Sequence, residues 1–251
     1  MPPLSLADTA VRVAELCSSG RAYYARAVSA PGVSPSVARL LSRPRPRLRG
    51  VSHRIAFVTS VPVGVMLVAS ADDGRERAGA AVFATALGFM FGASALVHLR
   101  PWTTAQYHRL IQLDMTAIFC CLAGTASAVS WLALHGASRW GLASGVWAIA
   151  AAGVVFVWLP VHPRAGVMNG LYLTGGWYPM LFCVPLWRGL GSGGFALLVA
   201  GGLCYTVGAV VVGAQRPDPW PAVFGYHEIF HLFVIAAATL HYSLVAFDLM
   251  A

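Results

Sequence analysis

Hydrophobic positions run in long blocks along most of the 251-residue chain, with the polar positions gathered between them. The blocks lack the period-2 alternation of a barrel strand, and they approach the ~20 apolar residues a helix needs to cross ~30 Å of hydrocarbon. Judged by length and flanking charge, seven spans are predicted, at about residues 51–70, 78–99, 110–134, 141–159, 165–187, 194–214 and 227–250. The expected fold class is all-α, an integral membrane bundle of seven transmembrane helices filling residues 51–251. Residues 1–50 form a separate basic arm. Within it residues 4–28 suit an interfacial amphipathic helix or disorder. Residues 42–49, SRPRPRLR, are broken by proline and read as an anchor against anionic headgroups.

Composition agrees with the pattern. With 58% hydrophobic and 10% charged residues the chain falls outside the range of a soluble domain. Its formal charge of +8 comes from arginine alone, since there is no lysine, and nine of the seventeen arginines lie within residues 1–54. Such a distribution is a topology signal, so the partner expected is the lipid bilayer and no nucleic acid. With the N-terminus cytoplasmic and the C-terminus outside, thirteen arginines fall on the inner side and four on the outer. No signal-peptide pattern follows Met1, so the first span is expected to act as its own signal in a multi-pass protein of the cell (plasma) membrane. The five cysteines lack CxxC spacing and read as small buried hydrophobes. Pro62, Pro179 and Pro185 are expected to kink their spans.

Candidate chemistry concentrates in GYHEIFHLFVIAAATLHY, residues 225–242. His227 and His231 are four apart, so on a helix both imidazoles share one face and reach a common point. The predicted topology brings the end of the second span and the starts of the third and seventh to one membrane face. The second span ends in SALVH, another i, i+4 pair of Ser94 and His98, and the third opens with Asp114. Ionisable groups at membrane depth are costly and usually paired or functional. His98, His227 and His231 are therefore the expected ligands of a Zn2+ ion with one open position. Asp114 is the expected general base, and Ser94 either orients His98 or donates to a developing oxyanion. Glu228 completes HExxH, the zincin pattern, yet it points about 100° away from the histidine face and otherwise reads as a charge favoured at a helix start. His53, at the start of the first span, reads as a headgroup contact ahead of the alternative, a neighbour of the site, and His241, about 15 Å along the helix from His231, is too far for the same metal.

These motifs in this order resemble the bacterial hemolysin III family, which is related to the progestin and adipoQ receptors and to alkaline ceramidases. PRLRGVSH, SALVH, LDMTAIFCCLAGT and the run from YTVGAVVVGAQRPDPWP through the final histidines carry the likeness. The resemblance implies a seven-span bundle with zinc near the cytoplasmic leaflet on His98, His227 and His231, and Asp114 beside the zinc-bound water. It also implies a zinc-dependent hydrolase of a lipid amide or related acyl bond. The alternatives are a receptor-like sensor or a pore-forming protein with structural zinc and, third, an HExxH metalloprotease.

Overall fold

The computed structural model describes residues 45–100, 102, 104–159 and 166–249, and among them the regular elements are helical apart from one isolated bridge between Trp220 and Phe224. The helices are α1 (Val51–Ala69), α2 (Gly74–Val97), α3 (Thr104–Ala133), α4 (Gly136–Trp158), α5 (Val167–Trp177), a 3-10 turn (Tyr178–Phe182), α6 (Cys183–Ala214) and α7 (Tyr226–Leu249). The helix expected over residues 4–28 and the first part of the SRPRPRLR run lie outside the described residues.

Boundaries follow capping chemistry more closely than hydropathy. The Asp73 carboxylate accepts hydrogen bonds from the backbone N–H groups of Arg75 and Glu76, both at 2.7 Å, so α2 starts at Gly74, ahead of its apolar run. Likewise α3 begins at Thr104 and carries a polar first turn and a half before the hydrocarbon. Pro179 lies where the α-helix gives way to the 3-10 turn, and Pro185 occupies the first turn of α6, where its missing N–H has no intrahelical partner to lose. By contrast Pro62 sits inside α1, which is continuous over Val51–Ala69.

Among the described residues, six helical stretches are long and apolar enough to cross a membrane. The count departs from the seven expected because residues 165–187 and 194–214 do not end as separate helices. They belong to one 48-residue stretch, Val167–Ala214. A straight helix of that length would measure roughly 72 Å, more than twice the ~30 Å of hydrocarbon. The stretch is not straight: Gly191 leaves helical geometry at φ 65 and ψ 179, and the indole N–H of Trp177 donates to the Thr206 hydroxyl at 3.0 Å. Its two arms thus lie side by side.

Consecutive helices pack as neighbours from α1 to α4, while α7 lies along α6 and closes onto α1, α2 and α3. Lipid tails are as apolar as leucine, so what holds such helices together is close packing of small side chains. Ala80, Ala86, Ala117, Ala123 and Ala128 are buried along α2 and α3. At Gly124 a Cβ would stand 2.5 Å from the Cβ of Ala86, so the crossing of α2 and α3 requires a glycine there. Large apolar residues such as Ile55, Val58, Met66, Leu181 and Val184 are exposed on the outer faces, where a bilayer supplies their contacts.

Candidate metal centre

His98 follows the last turn of α2, and its backbone N–H reaches the Ser94 carbonyl at 3.2 Å. The Trp102 indole N–H caps the same end, donating to the carbonyls of Leu96 and Val97 at 3.1 and 3.2 Å. From the other side, the first two turns of α7 present His227 and His231, with ring centroids 4.5 Å apart. One ligand atom from each of His98, His227 and His231 lies within 4.8 Å of the other two. Nε2 of His98 and Nε2 of His227 stand 3.2 Å apart. Each neutral imidazole has one lone-pair nitrogen, and three of them converging on a point make a donor set for a transition-metal ion. The structure therefore brings together the three expected ligands, from α2 and α7.

Ser94 and Asp114 line the same cavity as His227 and His231. This cavity, of about 260 Å³, continues from the histidines past Met90, Ile118, Leu122, Phe230 and Val234, and its walls are largely apolar. The Ser94 hydroxyl pairs with Nδ1 of His53 at 2.8 Å, which bears on only one of its two expected roles, that of orienting His98.

His53 itself is a correction. It is 3% exposed, so it contacts no headgroup, and its ring lies flat on His231 with centroids 3.7 Å apart and planes 7° off parallel. Its place beside Arg54, at the start of a span, hid it, because that position normally marks the interface. A signal was nonetheless present, since the first span starts on the membrane face where the other histidines were expected to meet.

The described part of the basic run, expected as a headgroup anchor, makes contacts within the protein. Residues 45–50 lie across the site: the backbone N–H groups of Arg47 and Leu48 donate to the carbonyls of Ala222 and Val223, both at 3.0 Å, and the Arg45 guanidinium donates to the His98 carbonyl. Gly50, at φ 74, packs directly on His98, where a Cβ would come within 2.3 Å of the His98 Cβ. Arg49 Nε pairs with Glu228 Oε1 at 2.7 Å. The other oxygen of Glu228 accepts from the Gly225 backbone N–H at 2.9 Å, which is half of a capping box at the start of α7. Both Glu228 oxygens are thus engaged in holding the histidine helix, away from the ligand face.

The family profile described as Haemolysin-III related matches residues 41–242, a span that takes in every residue of this centre. The chain belongs to the haemolysin III family. It is 27% identical to Hemolysin-3 of Bacillus cereus over 205 residues, covering 78% of this chain and 88% of that protein. The Hemolysin-3 homolog of Bacillus subtilis (strain 168) is 26% identical over 201 residues, 78% of this chain and 91% of its own. Monocyte to macrophage differentiation factor of Homo sapiens is 27% identical over 201 residues, 76% and 79% respectively. Family membership and the apolar spans together make this a multi-pass membrane protein.

Proposed function

We propose that this haemolysin III protein is a zinc-dependent hydrolase that cleaves a lipid amide or related acyl bond presented from the bilayer. The observation that carries the reading is the convergence of three imidazoles, two of which, His227 and His231, line an apolar cavity together with Asp114 and Ser94. Two nitrogens on one tetrahedral zinc, each at about 2.0–2.1 Å, stand roughly 3.3 Å apart. The 3.2 Å between His98 and His227 fits that bite.

Zinc, when bound, supplies Lewis-acid polarisation of an acyl carbonyl and a water of lowered pKa. His98, His227 and His231 would hold it in their neutral forms. Asp114 takes the proton of the attacking water and passes it to the leaving nitrogen or oxygen. Ser94 offers a hydroxyl donor to the charge that develops on the carbonyl oxygen. Met90, Ile118, Leu122 and Val234 exclude water and accept the acyl chain.

The same reading takes the Val167–Ala214 stretch as two crossings that reverse near Gly191, giving seven spans. The arginine bias supports a cytoplasmic N-terminus and an outer C-terminus, with the metal near the inner leaflet. The relatives' name, Hemolysin-3, favours a second reading in which the protein acts on membranes without turnover and the metal is structural. A protease using Glu228 as base ranks last, because both its oxygens are already committed.

Asp114→Ala separates the first two readings. In the full chain reconstituted in lipid discs with a fluorogenic long-chain N-acyl amide, the hydrolase reading expects metal retained and turnover reduced by about 10²–10⁴. Turnover equal to wild type contradicts it.

A further inference from the structure

His53 is a buried polar group against the metal centre that the proposed chemistry leaves without a task. Three contacts fix it in place. Its face lies on His231 at 3.7 Å and 7°, its edge meets Phe91 at 5.2 Å and 71°, and Nδ1 reaches the Ser94 hydroxyl at 2.8 Å. Phenylalanine would fill such a slot without the cost of sinking two ring nitrogens among helices. What an imidazole adds is the hydrogen bond to Ser94. What any aromatic ring adds is a flat wall in van der Waals contact with the His231 ring. His53 is not itself among the converging donors.

We propose that His53 is a positioning residue of the metal centre, with Ser94 setting the plane of its ring and that plane setting the orientation of His231. The chain of contacts runs from α2 through α1 to α7, so the metal-binding geometry depends on a helix that supplies no ligand. With its proton on Nδ1, His53 donates to Ser94 Oγ, and the hydroxyl hydrogen stays free to turn toward Asp114 or a substrate. The inference rests on the metal reading above and not on any catalytic activity. Partners that orient a ligand typically change metal affinity by 10–100-fold when removed.

The test is zinc affinity of the detergent-solubilised full chain, measured by competition with a chromogenic chelator, for wild type, His53→Leu, His53→Phe, Ser94→Ala and the double variant His53→Phe/Ser94→Ala. His53→Leu, which fills the volume without a ring, is expected to weaken zinc about tenfold or more. His53→Phe, which keeps the wall but loses the hydrogen bond that sets its plane, should weaken zinc severalfold, as Ser94→Ala does, and less than His53→Leu. Ser94→Ala should weaken zinc severalfold in the wild-type background and not at all in the His53→Phe background. Cobalt(II) loading gives a second readout: the visible bands shift in His53→Leu and return toward wild type in His53→Phe. Zinc-loaded wild type together with a His53→Leu variant of equal affinity overturns this inference alone, as does a Ser94→Ala effect that is the same in both backgrounds. A wild type that takes up no zinc overturns the metal reading itself.

Discussion

Helix α7 carries buried histidines at two places, and they are held in different ways. Toward the middle of the helix, His241 Nε2 donates to the Leu198 carbonyl at 3.1 Å. A carbonyl can only accept, so that ring has an obligate protein partner. At the helix start, the ring nitrogens of His227 and His98 face each other at 3.2 Å, and His231 approaches the same point. A hydrogen bond between two imidazoles uses one N–H and one lone pair and leaves the third ring out, whereas a cation uses three lone pairs at once. Burial alone therefore does not mark a metal-ligating histidine in a membrane helix. The partner does.

The contrast can be broken at either end of α7. The largest effect is expected for His98→Ala, which removes one of three ligands. Its zinc affinity should fall more than about 100-fold, beyond what loss of a ligand's partner costs, in the same chelator competition. Next comes Gly50→Val, which puts a branched side chain at φ 74 and against His98. Backbone strain of about 1–3 kcal/mol should lower the thermal unfolding midpoint, and displacement of His98 should weaken zinc measurably. Glu228→Gln keeps an oxygen for the Gly225 N–H but loses the ion pair with Arg49. It should cost up to about 3 kcal/mol of stability, read by thermal denaturation, while zinc stoichiometry is unchanged. His241→Phe removes the hydrogen bond to the Leu198 carbonyl, which keeps its intrahelical partner in α6, so it costs about 0.5–1.5 kcal/mol and leaves zinc binding as in wild type. The smallest effect belongs to Asp73→Asn, far from the metal. The backbone N–H groups of Glu76 and Arg75, the first the stronger influence, hold the Asp73 carboxyl below its ordinary value of 3.8. Its capping contribution is therefore present at neutral pH and lost as pH falls through that lowered value. Amide exchange at the start of α2 should show wild type and variant converging in acid.

The meeting of His98, His227 and His231 was legible from spacing, because the period of a helix fixes which residues share a face and membrane crossing fixes which span ends meet. Ser94 and Asp114 were legible for the same reason. The partner of Ser94 was not, since nothing in VSHRIAF says that the first turn of α1 tilts inward until His53 is covered. Nor was the contact of Arg49 with Glu228, which joins residues far apart in sequence through a loop whose course no periodicity records. Between the fifth and sixth expected spans, WRGLGSGG has the glycine content of a loop. It nonetheless stays helical except at Gly191, where one residue at positive φ, a conformation glycine adopts readily, makes the break that a longer loop was expected to make.

The most direct test of the central claim is the metal content, by elemental analysis, of the full chain purified without chelator, for wild type beside the double variant His227→Ala/His231→Ala. One equivalent of zinc in wild type and none in a variant that remains monodisperse is the predicted result. Wild type without metal, or a double variant that keeps its zinc, would contradict the account.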